Sequence, residues 1–464
     1  MEPGFEFDLA VVGSGGAAMA AAITARQAGR TVLVIERGTI GGTCVNIGCV
    51  PSKALLAAAG TRQAALTNPF PGAPTLARDV DLGALVRQKD QLITQLRGTK
   101  YADVADAHGF EVRRGEASFL DPDTLVIDGD PVAAGSVVLA TGAEPARPKD
   151  VAGLGEVEHL TSTTAMELTE LPESMIVIGG GYVGIEQAQL FAHLGTRVTI
   201  IGRITPAAEP EMVAILRQAL AQDGITVVEE HATSVDRQHA QVRVRTASGR
   251  NLCAEHLLVA TGRRASTARL NLPAAGITTD PDGFILVDKH QRTTNRRVFA
   301  AGDATTAPQY VYVAAATGKS AATNALQSDP QAPAEVVDYT GLPAVIFSRP
   351  QLATAGLTEA AARAAGHRCQ TRVMSFEDLP RALVDQDTRG AIKMVAETET
   401  GRILGLSAIG DHAGEIMLAA TYAITAGMTT RQIADTWAPY LTTSEALRLV
   451  AGTFHTELPT SCCA

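Results

Sequence analysis

The 464-residue chain contains no long apolar run and no cluster of basic residues. A helix that crosses a membrane needs about twenty consecutive apolar residues, so the sequence argues against membrane insertion. A formal net charge of −10 and the missing basic run argue against nucleic acid as a partner, because phosphate binding requires clustered cations. The N-terminal residues, MEPGFE, lack the basic leader of a targeting peptide. We therefore expect a soluble, cytoplasmic protein of about three domains.

Cysteine is also scarce, since the chain has only six. Four of them form two close pairs. Cys44 and Cys49 stand in GGTCVNIGCVPSK at residues 41–53, and Cys462 and Cys463 stand in the terminal SCCA. Thiols that carry out chemistry need a reducing compartment, which fits the cytoplasm.

The spacing of Cys44 and Cys49 does not suit a disulfide within a regular helix. Residues five apart on a helix have Cα atoms roughly 8–9 Å apart, whereas a disulfide requires less than about 7 Å. A bridge therefore predicts a distorted helix, and Gly48 and Pro51 mark where distortion costs least. The glycine turn at 41–42 places Cys44 at a helix start, where N–H groups are expected to lower the pKa of its thiol. Two isolated cysteines are more often buried structural thiols than a redox-active pair. The sequence motifs around them therefore decide between these two interpretations.

The sequence before the cysteine pair has the pattern of a dinucleotide-binding unit. A strand at residues 8–12 leads into GSGGAA at 13–18, an alanine-rich helix follows to Ala28, and a second strand ends at Glu36. The glycines let the backbone approach a pyrophosphate, the helix N-terminus receives its charge, and the acid accepts hydrogen bonds from a ribose. Because strand, helix and acid are all present, we predict a bound dinucleotide rather than a simple glycine-rich turn.

The same unit recurs in the middle of the chain. A strand at 175–178 leads into GGGYVG at 179–184, a helix follows, and a strand at 197–201 precedes Gly202 and Arg203. Arg203 stands where an acid would select an unphosphorylated ribose, and arginine suits a 2′-phosphate. The sequence therefore favours NADPH over NADH, with a solvated surface arginine as the alternative.

Three further strands end in short glycine motifs, VVLATG at 137–142, LLVATG at 257–262 and VFAAGD at 298–303. With these motifs, the chain resembles the pyridine nucleotide-disulfide oxidoreductases over nearly its whole length. Within them it resembles the family of mercuric reductases, on the strength of GGTCVNIGCVPSK and the terminal SCCA. The resemblance implies an α/β fold with two Rossmann-like dinucleotide-binding domains plus an α+β C-terminal dimerisation domain.

The resemblance also implies domain boundaries. The FAD-binding domain is expected at 1–150 and 270–335, the NADPH-binding domain at 151–269, and the interface domain with its mobile Cys-Cys tail at 336–464. A linker is expected at 330–333. In the interface domain, residues 401–410 alternate like strands of an antiparallel sheet, and 414–426 have the pattern of an amphipathic helix.

Cofactor contacts follow from the resemblance residue by residue. FAD contacts are expected at Gly13, Gly15, Ala18, Glu36, Gly38, Thr43, Lys53, Ala117, Thr141, Gly142, Asp303 and Val311. NADPH contacts are expected at Gly179, Gly181, Tyr182, Gly184, Arg203 and Gly262. Tyr182 is similar to the tyrosine that covers the nicotinamide pocket, and Lys53 would pair with Glu186 near the flavin. Tyr101 and Tyr440 match the tyrosines that flank the mercury site, although interface packing would explain either one alone.

The implied activity is NADPH-dependent reduction of Hg(II) to volatile Hg(0), in mercury detoxification. Cys49 would be the thiolate next to the flavin and Cys44 the distal thiol. In a homodimer, Cys462 and Cys463 of one subunit would pass the ion to these two cysteines of the other. Adjacent Cα atoms lie 3.8 Å apart, below the usual disulfide range, and thiolates favour soft cations, so the tail suits metal binding. Incidental cysteines on a disordered end are the alternative.

The segment WAPYLTTSE at 437–445 departs from the disulfide-reducing relatives. Glutathione, lipoamide and thioredoxin reductases carry a His-Pro pair there, and Ala438 holds the place of the histidine. Without this acid-base group, exchange with a disulfide substrate is disfavoured. Two alternatives stay open: a thioredoxin-reductase-like disulfide reductase that uses the tail as a shuttle, and a non-catalytic mercury-sequestering flavoprotein.

Overall fold

The computed structural model describes residues 5–327 and 332–458. The tail cysteines, Cys462 and Cys463, lie outside the described residues, as does the first half of the expected linker. In the described ranges the strands are β1 (Phe7–Val12), β2 (Val32–Glu36), β3 (Glu111–Arg114), β4 (Ala117–Phe119), β5 (Leu125–Ile127), β6 (Asp130–Val132), β7 (Ala134–Leu139), β8 (Ala143–Pro145), β9 (Ser174–Ile178), β10 (Arg197–Ile201), β11 (Thr226–Val228), β12 (Ala232–Gln238), β13 (Gln241–Thr246), β14 (Asn251–Ala254), β15 (His256–Val259), β16 (Arg263–Ala265), β17 (Val298–Ala300), β18 (Pro343–Ile346), β19 (Gln351–Gly356), β20 (Cys369–Ser375), β21 (Ala391–Glu397) and β22 (Ile403–Gly410). The α-helices are α1 (Gly16–Gln27), α2 (Gly42–Asn46), α3 (Cys49–Leu66), α4 (Leu82–Arg97), α5 (Asp103–His108), α6 (Tyr182–Leu194), α7 (Pro210–Gln222), α8 (Val311–Ala325), α9 (Glu359–Ala364), α10 (Pro380–Asp385), α11 (Ala413–Thr425), α12 (Thr430–Ala434) and α13 (Glu445–Gly452).

The first of two compact units comprises Met1–Ala54, Gly83–Arg147 and Gly262–Asp338. Its main sheet is parallel, with strand order β17-β7-β1-β2-β3. The inner strands are rich in valine, leucine and isoleucine and are buried on both faces, as expected of a parallel sheet covered by helices. The antiparallel strands β4-β5-β6 and the pair β8-β16 complete the unit.

The second unit comprises Leu55–Leu82, Pro148–Thr261 and Tyr339–Ala464. It contains a parallel sheet in the order β11-β10-β9-β15, an antiparallel sheet β12-β13-β14, and a five-stranded antiparallel sheet β18-β19-β22-β21-β20. The last sheet and helices α11 and α13 share one hydrophobic core. The predicted α/β fold with two dinucleotide-binding folds and a C-terminal α+β domain is confirmed. The bounds of these two units differ from the expected domain boundaries. The expected boundaries stay a prediction.

The two parallel sheets repeat one structural detail at their fingerprints. Ala140 N–H donates to Val12 O at 2.9 Å, and Ala260 N–H donates to Ile178 O at 2.8 Å. In each unit the first glycine of the fingerprint has a positive φ, and a Cβ atom there would collide with the carbonyl oxygen of that alanine. Only glycine permits this crossing at the carboxyl edge of the sheet, where dinucleotides bind.

Strand β22 differs from its predicted pattern. The sequence predicts alternation between a buried and an exposed face, but all eight residues of β22 are buried. The predicted antiparallel strand is confirmed, since β22 pairs antiparallel with β19 and β21. The predicted alternation is wrong because β22 lies between those two strands, and helices α11 and α7 both pack against it. The predicted helix at 414–426 is confirmed as α11.

Among the residues that the structure describes, no helix has both the length and the apolar character needed to cross a membrane.

Candidate active site

The two cysteines of the 41–53 motif lie on either side of a helix break. Helix α2 carries Cys44 and ends at Asn46, and α3 begins at Cys49, so Ile47 and Gly48 separate the two helices. The predicted distortion between the cysteines is therefore confirmed. The start of α2 packs directly on the first fingerprint, since a Cβ atom at Gly42 would collide with the Cα atom of Gly15. The cysteine segment is thus packed on the turn that is predicted to receive a pyrophosphate.

The two thiols are close enough to share a proton. A hydrogen bond to Cys49 raises the pKa of the Cys44 thiol, and burial raises it further, whereas the Cys49 backbone N–H and Lys53 act in the opposite direction. The expectation that a helix start lowers the pKa of Cys44 is therefore wrong. The reason is that α2 has only five residues, and the neighbouring sulfur outweighs its weak field. The raised pKa favours the protonated form of Cys44.

Asn46 holds the short helix that carries Cys44. Its Nδ2 donates to Ile40 O at 3.0 Å and to Gly42 O at 2.9 Å, and its Oδ1 accepts from Arg97 Nε at 2.8 Å. Sequence reasoning missed both Asn46 and Arg97. Asn46 stands inside the cysteine motif and could have been singled out there, but Arg97 is 51 residues away and has no local signal.

Tyr101 lies beside the cysteine turn, and its predicted role at the mercury site stays a prediction. It belongs to a π-helical turn, Gly98–Ala102, between α4 and α5, a feature that often marks functional sites. A Cβ atom at Gly41 would lie 3.5 Å from Tyr101 Cδ2. Burial raises the pKa of Tyr101, and the charges of Cys44 and Cys49 raise it further. The phenol therefore stays protonated and offers an O–H donor beside the thiols.

Ser14 connects the fingerprint, the acid after β2 and the cysteine turn. Its hydroxyl donates to Glu36 Oε2 at 2.6 Å and accepts from Gly41 N–H at 3.0 Å. Glu36 Oε1 accepts from Gly38 N–H at 2.7 Å, so two of the predicted FAD residues are in contact. Ser14 is almost fully buried and was not predicted. Its position within the fingerprint is the signal that could have found it.

A pocket at the carboxyl edge of the first sheet fits the adenosine end of FAD. The predicted residues that line it are Gly13, Glu36, Ala117 and Thr141. Thr141 Oγ1 is buried and has no hydrogen-bond partner among the described residues. A buried hydroxyl of this kind requires a partner, and a bound nucleotide would supply one.

A second group of predicted FAD residues lies at the same sheet edge. Asp303 follows β17, and Val311 begins α8, where its Cγ2 would lie 3.3 Å from a Cβ atom at Gly16 of the fingerprint turn. Ala18 is fully buried on α1. Burial raises the pKa of Asp303, and the positive charge of Arg263 partly offsets this effect.

Arg263 is a further residue that sequence reasoning missed, although it directly follows the LLVATG motif. Its Nε is buried, and within the described ranges no atom accepts a hydrogen bond from it. A buried guanidinium beside a carboxylate, with one N–H left over, suits the anionic and hydroxylated parts of FAD. Gly142 and Gly262, which end the two ATG motifs, both have positive φ as turns of this kind require.

The second fingerprint is formed in the second unit. Gly179, Gly181 and Gly184 surround the start of α6, and Tyr182 is its first residue, with 37% of its surface exposed. Glu186 lies one turn later and is buried, and it accepts the Phe347 N–H at 3.0 Å. The expected pairing of Glu186 with Lys53 stays a prediction.

The predicted NADPH residue Arg203 lines a separate cavity of about 370 Å³ in the second unit. The cavity lies beyond the carboxyl edge of β10, where the ribose of a dinucleotide is expected. An exposed cation at this edge fits the predicted 2′-phosphate.

Tyr440 and Ala438 lie in the segment between α12 and α13, in the second unit. Half of the Tyr440 surface is exposed, and its neighbour Trp437 is 97% exposed. The predicted role of Tyr440 at the mercury site of a second subunit stays a prediction. In the described part of the chain, no group of three or more histidine, cysteine or acidic side chains could hold a metal ion.

The fold and the site define a class of protein. Two Rossmann-like folds, with a hydrogen-bonded dithiol seated on the first fingerprint, are the arrangement of flavin- and nicotinamide-dependent dithiol oxidoreductases.

Comparison with known families agrees with this class. Residues 7–318 match the pyridine nucleotide-disulphide oxidoreductase family, and residues 342–451 match the dimerisation domain of that family. RclA of Escherichia coli, an HOCl-induced flavoprotein disulfide reductase solved as its Cu(II) complex, is similar in structure. It has a TM-score of 0.84 and 27% sequence identity, covering 95% of this chain and 98% of RclA.

Sequence relatives narrow the assignment. The mercuric reductase of Streptomyces lividans is 47% identical over 99% of this chain and 98% of its own length. That of Staphylococcus aureus is 41% identical, covering 99% of this chain and 84% of the relative, and that of Bacillus cereus is 40% identical, covering 100% and 74%. The chain belongs to the mercuric reductases within the pyridine nucleotide-disulphide oxidoreductase family. It is an oxidoreductase whose cofactors are FAD and NADPH, as predicted.

Proposed function

We propose that this chain reduces Hg(II) to Hg(0) at Cys44 and Cys49, with electrons from NADPH, and that it thereby detoxifies mercury in the cytoplasm. The observation that carries the proposal is the hydrogen-bonded pair of thiols beside the protonated Tyr101, seated on the FAD fingerprint. The full-length similarity to mercuric reductases supports it. The balanced reaction is NADPH + Hg²⁺ → NADP⁺ + H⁺ + Hg⁰.

FAD, when bound, supplies the transfer of two electrons from the nicotinamide to the thiol site. The residues that would hold it are Glu36, Thr141 and Asp303, together with Arg263 of β16, whose charge acts on Asp303. Tyr182 would cover the nicotinamide pocket until NADPH binds, since it begins the helix of the second fingerprint and 37% of its surface is exposed.

The thiols bind the metal ion in the proposed reaction. Thiolates prefer soft cations, and Hg²⁺ is softer than the first-row metals. Cys44 must release its proton when the ion binds, since only the thiolate is a ligand. Lys53, one turn after Cys49, favours the charged pair. Tyr101 offers an O–H donor to whichever sulfur carries the charge.

We propose that the enzyme acts as a homodimer. Helix α11 leaves Leu418 and Tyr422 exposed, 59% and 64%, on the face opposite its buried side. A helix with apolar residues on both faces requires a second partner, and α11 lies within the matched dimerisation domain. A second copy of this chain supplies the same face and closes the contact by two-fold symmetry.

In that dimer, Cys462 and Cys463 would capture Hg(II) and deliver it to Cys44 and Cys49 of the other subunit. The described residues end at Leu458, which packs against the hydrophobic core of the C-terminal domain, four residues before Cys462. Four residues span at most about 14 Å when extended, so delivery requires that the thiols of the other subunit lie within that distance of Leu458 in the dimer. Two tethered thiols compete with external thiols through their effective concentration.

One assay separates the proposal from disulfide reduction and from simple sequestration. The purified protein is given NADPH with Hg²⁺ and excess thiol, with oxidised glutathione, or with oxidised thioredoxin. We expect steady NADPH oxidation with mercury and little with either disulfide, because Ala438 replaces the acid-base histidine. Steady turnover of a disulfide would make the protein a disulfide reductase, and a single burst with mercury would make it a sequestering protein.

A further inference from the structure

We propose that Arg217 and Glu229 act with Arg203 as the determinant of 2′-phosphate recognition, and that the two members of this ion pair act in opposite directions. Arg217 favours the phosphate, and Glu229 opposes it. The inference rests on the proposed NADPH-dependent function and concerns which residues select the nucleotide.

The three charged residues line one cavity. Its wall is one face of α7, formed by Pro210, Val213, Ala214 and Arg217. Spacings of three, one and three residues place these side chains on the same side of a helix. The apolar side chains of this face suit an adenine ring. Arg217 is the last residue of the face, so its charge lies at the polar end of the cavity.

Strand topology brings the other two charges to the same edge. Strands β10 and β11 are parallel neighbours, with Ile201 paired to Val228. Arg203 follows β10 by two residues, and Glu229 follows β11 by one. Because parallel strands end at a common edge, these side chains of opposite charge both border the cavity.

Glu229 holds Arg217 by a direct ion pair. Arg217 Nη2 lies 2.5 Å from Glu229 Oε1, and the exposed fractions of the two side chains are 45% and 35%. A pair this exposed is worth little to stability and can rearrange when a ligand binds. A 2′-phosphate in the cavity would compete with Glu229 for the guanidinium, since phosphate and carboxylate both accept bidentate hydrogen bonds from arginine.

The helix that carries Arg217 is fixed from its other end. Lys393 is 2% exposed and lies 2.9 Å from Glu209 Oε2 and 2.9 Å from Glu211 Oε1. Glu209 is the N-cap residue of α7, and Glu211 is in its first turn. The backbone of Arg217 is therefore held in place, and only its side chain is available to move between Glu229 and a ligand.

The proposal is tested on the holoenzyme by calorimetric binding of 2′,5′-ADP, with 5′-AMP as the probe that lacks the 2′-phosphate. Arg217→Ala should weaken 2′,5′-ADP binding about tenfold or more, because a charge-assisted contact is lost and Glu229 is left uncompensated. Glu229→Gln should strengthen it about threefold, the effect of removing one negative charge near the phosphate in solvent. Binding of 5′-AMP should change less than about twofold in both variants, because the uncharged ribose leaves little electrostatic difference. Raising the salt concentration should reduce both effects.

Arg203→Ala is the positive control, and Arg243→Ala is the matched negative control. Arg243 makes an ion pair with Asp236 at 2.7 Å and is similarly exposed, but it does not line the cavity. If the Arg217–Glu229 pair were merely structural, Arg217→Ala and Glu229→Gln would both weaken binding, and the ratio of the affinities for 2′,5′-ADP and 5′-AMP would not change. Weaker binding by Glu229→Gln, or an unchanged ratio in Arg217→Ala, would overturn the inference. The assay contains no mercury, so its failure is distinguishable from failure of the proposed reduction.

Discussion

Replacing Asn46 with alanine tests whether the arrangement of the dithiol depends on this one side chain. Asn46 fixes both the turn before Cys44 and, through Arg97, the helix that leads into the turn of Tyr101. Asn46→Ala removes all of these contacts without changing a sulfur or an expected cofactor residue. We expect the variant to bind FAD and to lose mercury turnover.

The magnitude follows from the three hydrogen bonds. Two amide–carbonyl bonds contribute about 0.5–1.5 kcal/mol each, and the bond from the charged Arg97 about 1.5–3 kcal/mol. Both side chains are partly exposed, so the lower ends apply, and we expect a loss of about 2–4 kcal/mol in the free energy of unfolding. A displaced Cys44 should lower kcat/KM for Hg(II) at least about tenfold, because misplacement by an ångström can cost a hundredfold.

Asn324→Ala is the matched control. Asn324 is 5% exposed, and it donates to His290 O at 3.0 Å and to Glu335 O at 2.8 Å while accepting Glu335 N–H at 2.8 Å. It lies at the C-terminal end of α8, about 20 Å along the helix from the cofactor edge at Val311. Its loss should destabilise the protein at least as much as Asn46→Ala and leave mercury turnover intact.

The assay pairs thermal unfolding with two rates, reduction of the bound flavin by NADPH and steady mercury-dependent NADPH oxidation. Asn46→Ala should slow only the second rate. If it kept mercury turnover within about twofold of the wild type while unfolding as easily as Asn324→Ala, Asn46 would be a stabilising residue alone. The reasoning that α2 must be held for Cys44 to function would then be refuted.

Three further predictions address individual groups at the site. Cys49→Ser should abolish the long-wavelength absorption band of the two-electron-reduced protein, since Cys49 is the proposed thiolate next to the flavin; a persistent band would assign that role to another sulfur. Cys462→Ala/Cys463→Ala should lose turnover with Hg(II) held by bidentate thiols but retain most of it with Hg(II) bromide, and equal handling of both complexes would remove any role for the tail. Because burial raises the pKa of Tyr101 above its usual value near 10, the phenol keeps its proton throughout the working range, and a profile of rate against pH should show no loss from its ionisation between pH 6 and about 10. Tyr101→Phe should lower kcat about two- to tenfold, the effect of one hydrogen bond, at every pH in that range.

The parts of the site that the sequence predicts are those with local signals. Both fingerprints combine a strand, a glycine turn and a helix within about thirty residues, so their structure follows from short-range patterns. The helix break at Ile47 and Gly48 was predictable for the same reason, because a disulfide cannot span a regular helix at this spacing.

The parts that sequence reasoning missed depend on contacts between distant segments. Arg97 reaches Asn46 across 51 residues, and Glu229, directly after β11, meets Arg217 because α7 packs against β11. The error in the pKa of Cys44 has a similar origin, since it depends on where the Cys49 sulfur lies rather than on the helix start itself. The predicted alternation of buried and exposed residues in β22 was wrong because helices cover the strand, which the sequence pattern predicts to be exposed on one face.

The most direct test of the proposed function measures elemental mercury vapour against NADPH consumed, in a sealed vessel with Hg²⁺ and excess thiol. The balanced reaction requires about one Hg⁰ for each NADPH, because each NADPH supplies two electrons and each Hg²⁺ accepts two. Cys44→Ala should release no vapour while its bound flavin is still reduced by NADPH. NADPH oxidation without mercury vapour in the wild type, or undiminished vapour from Cys44→Ala, would contradict the assignment of mercury reduction to the Cys44 and Cys49 site.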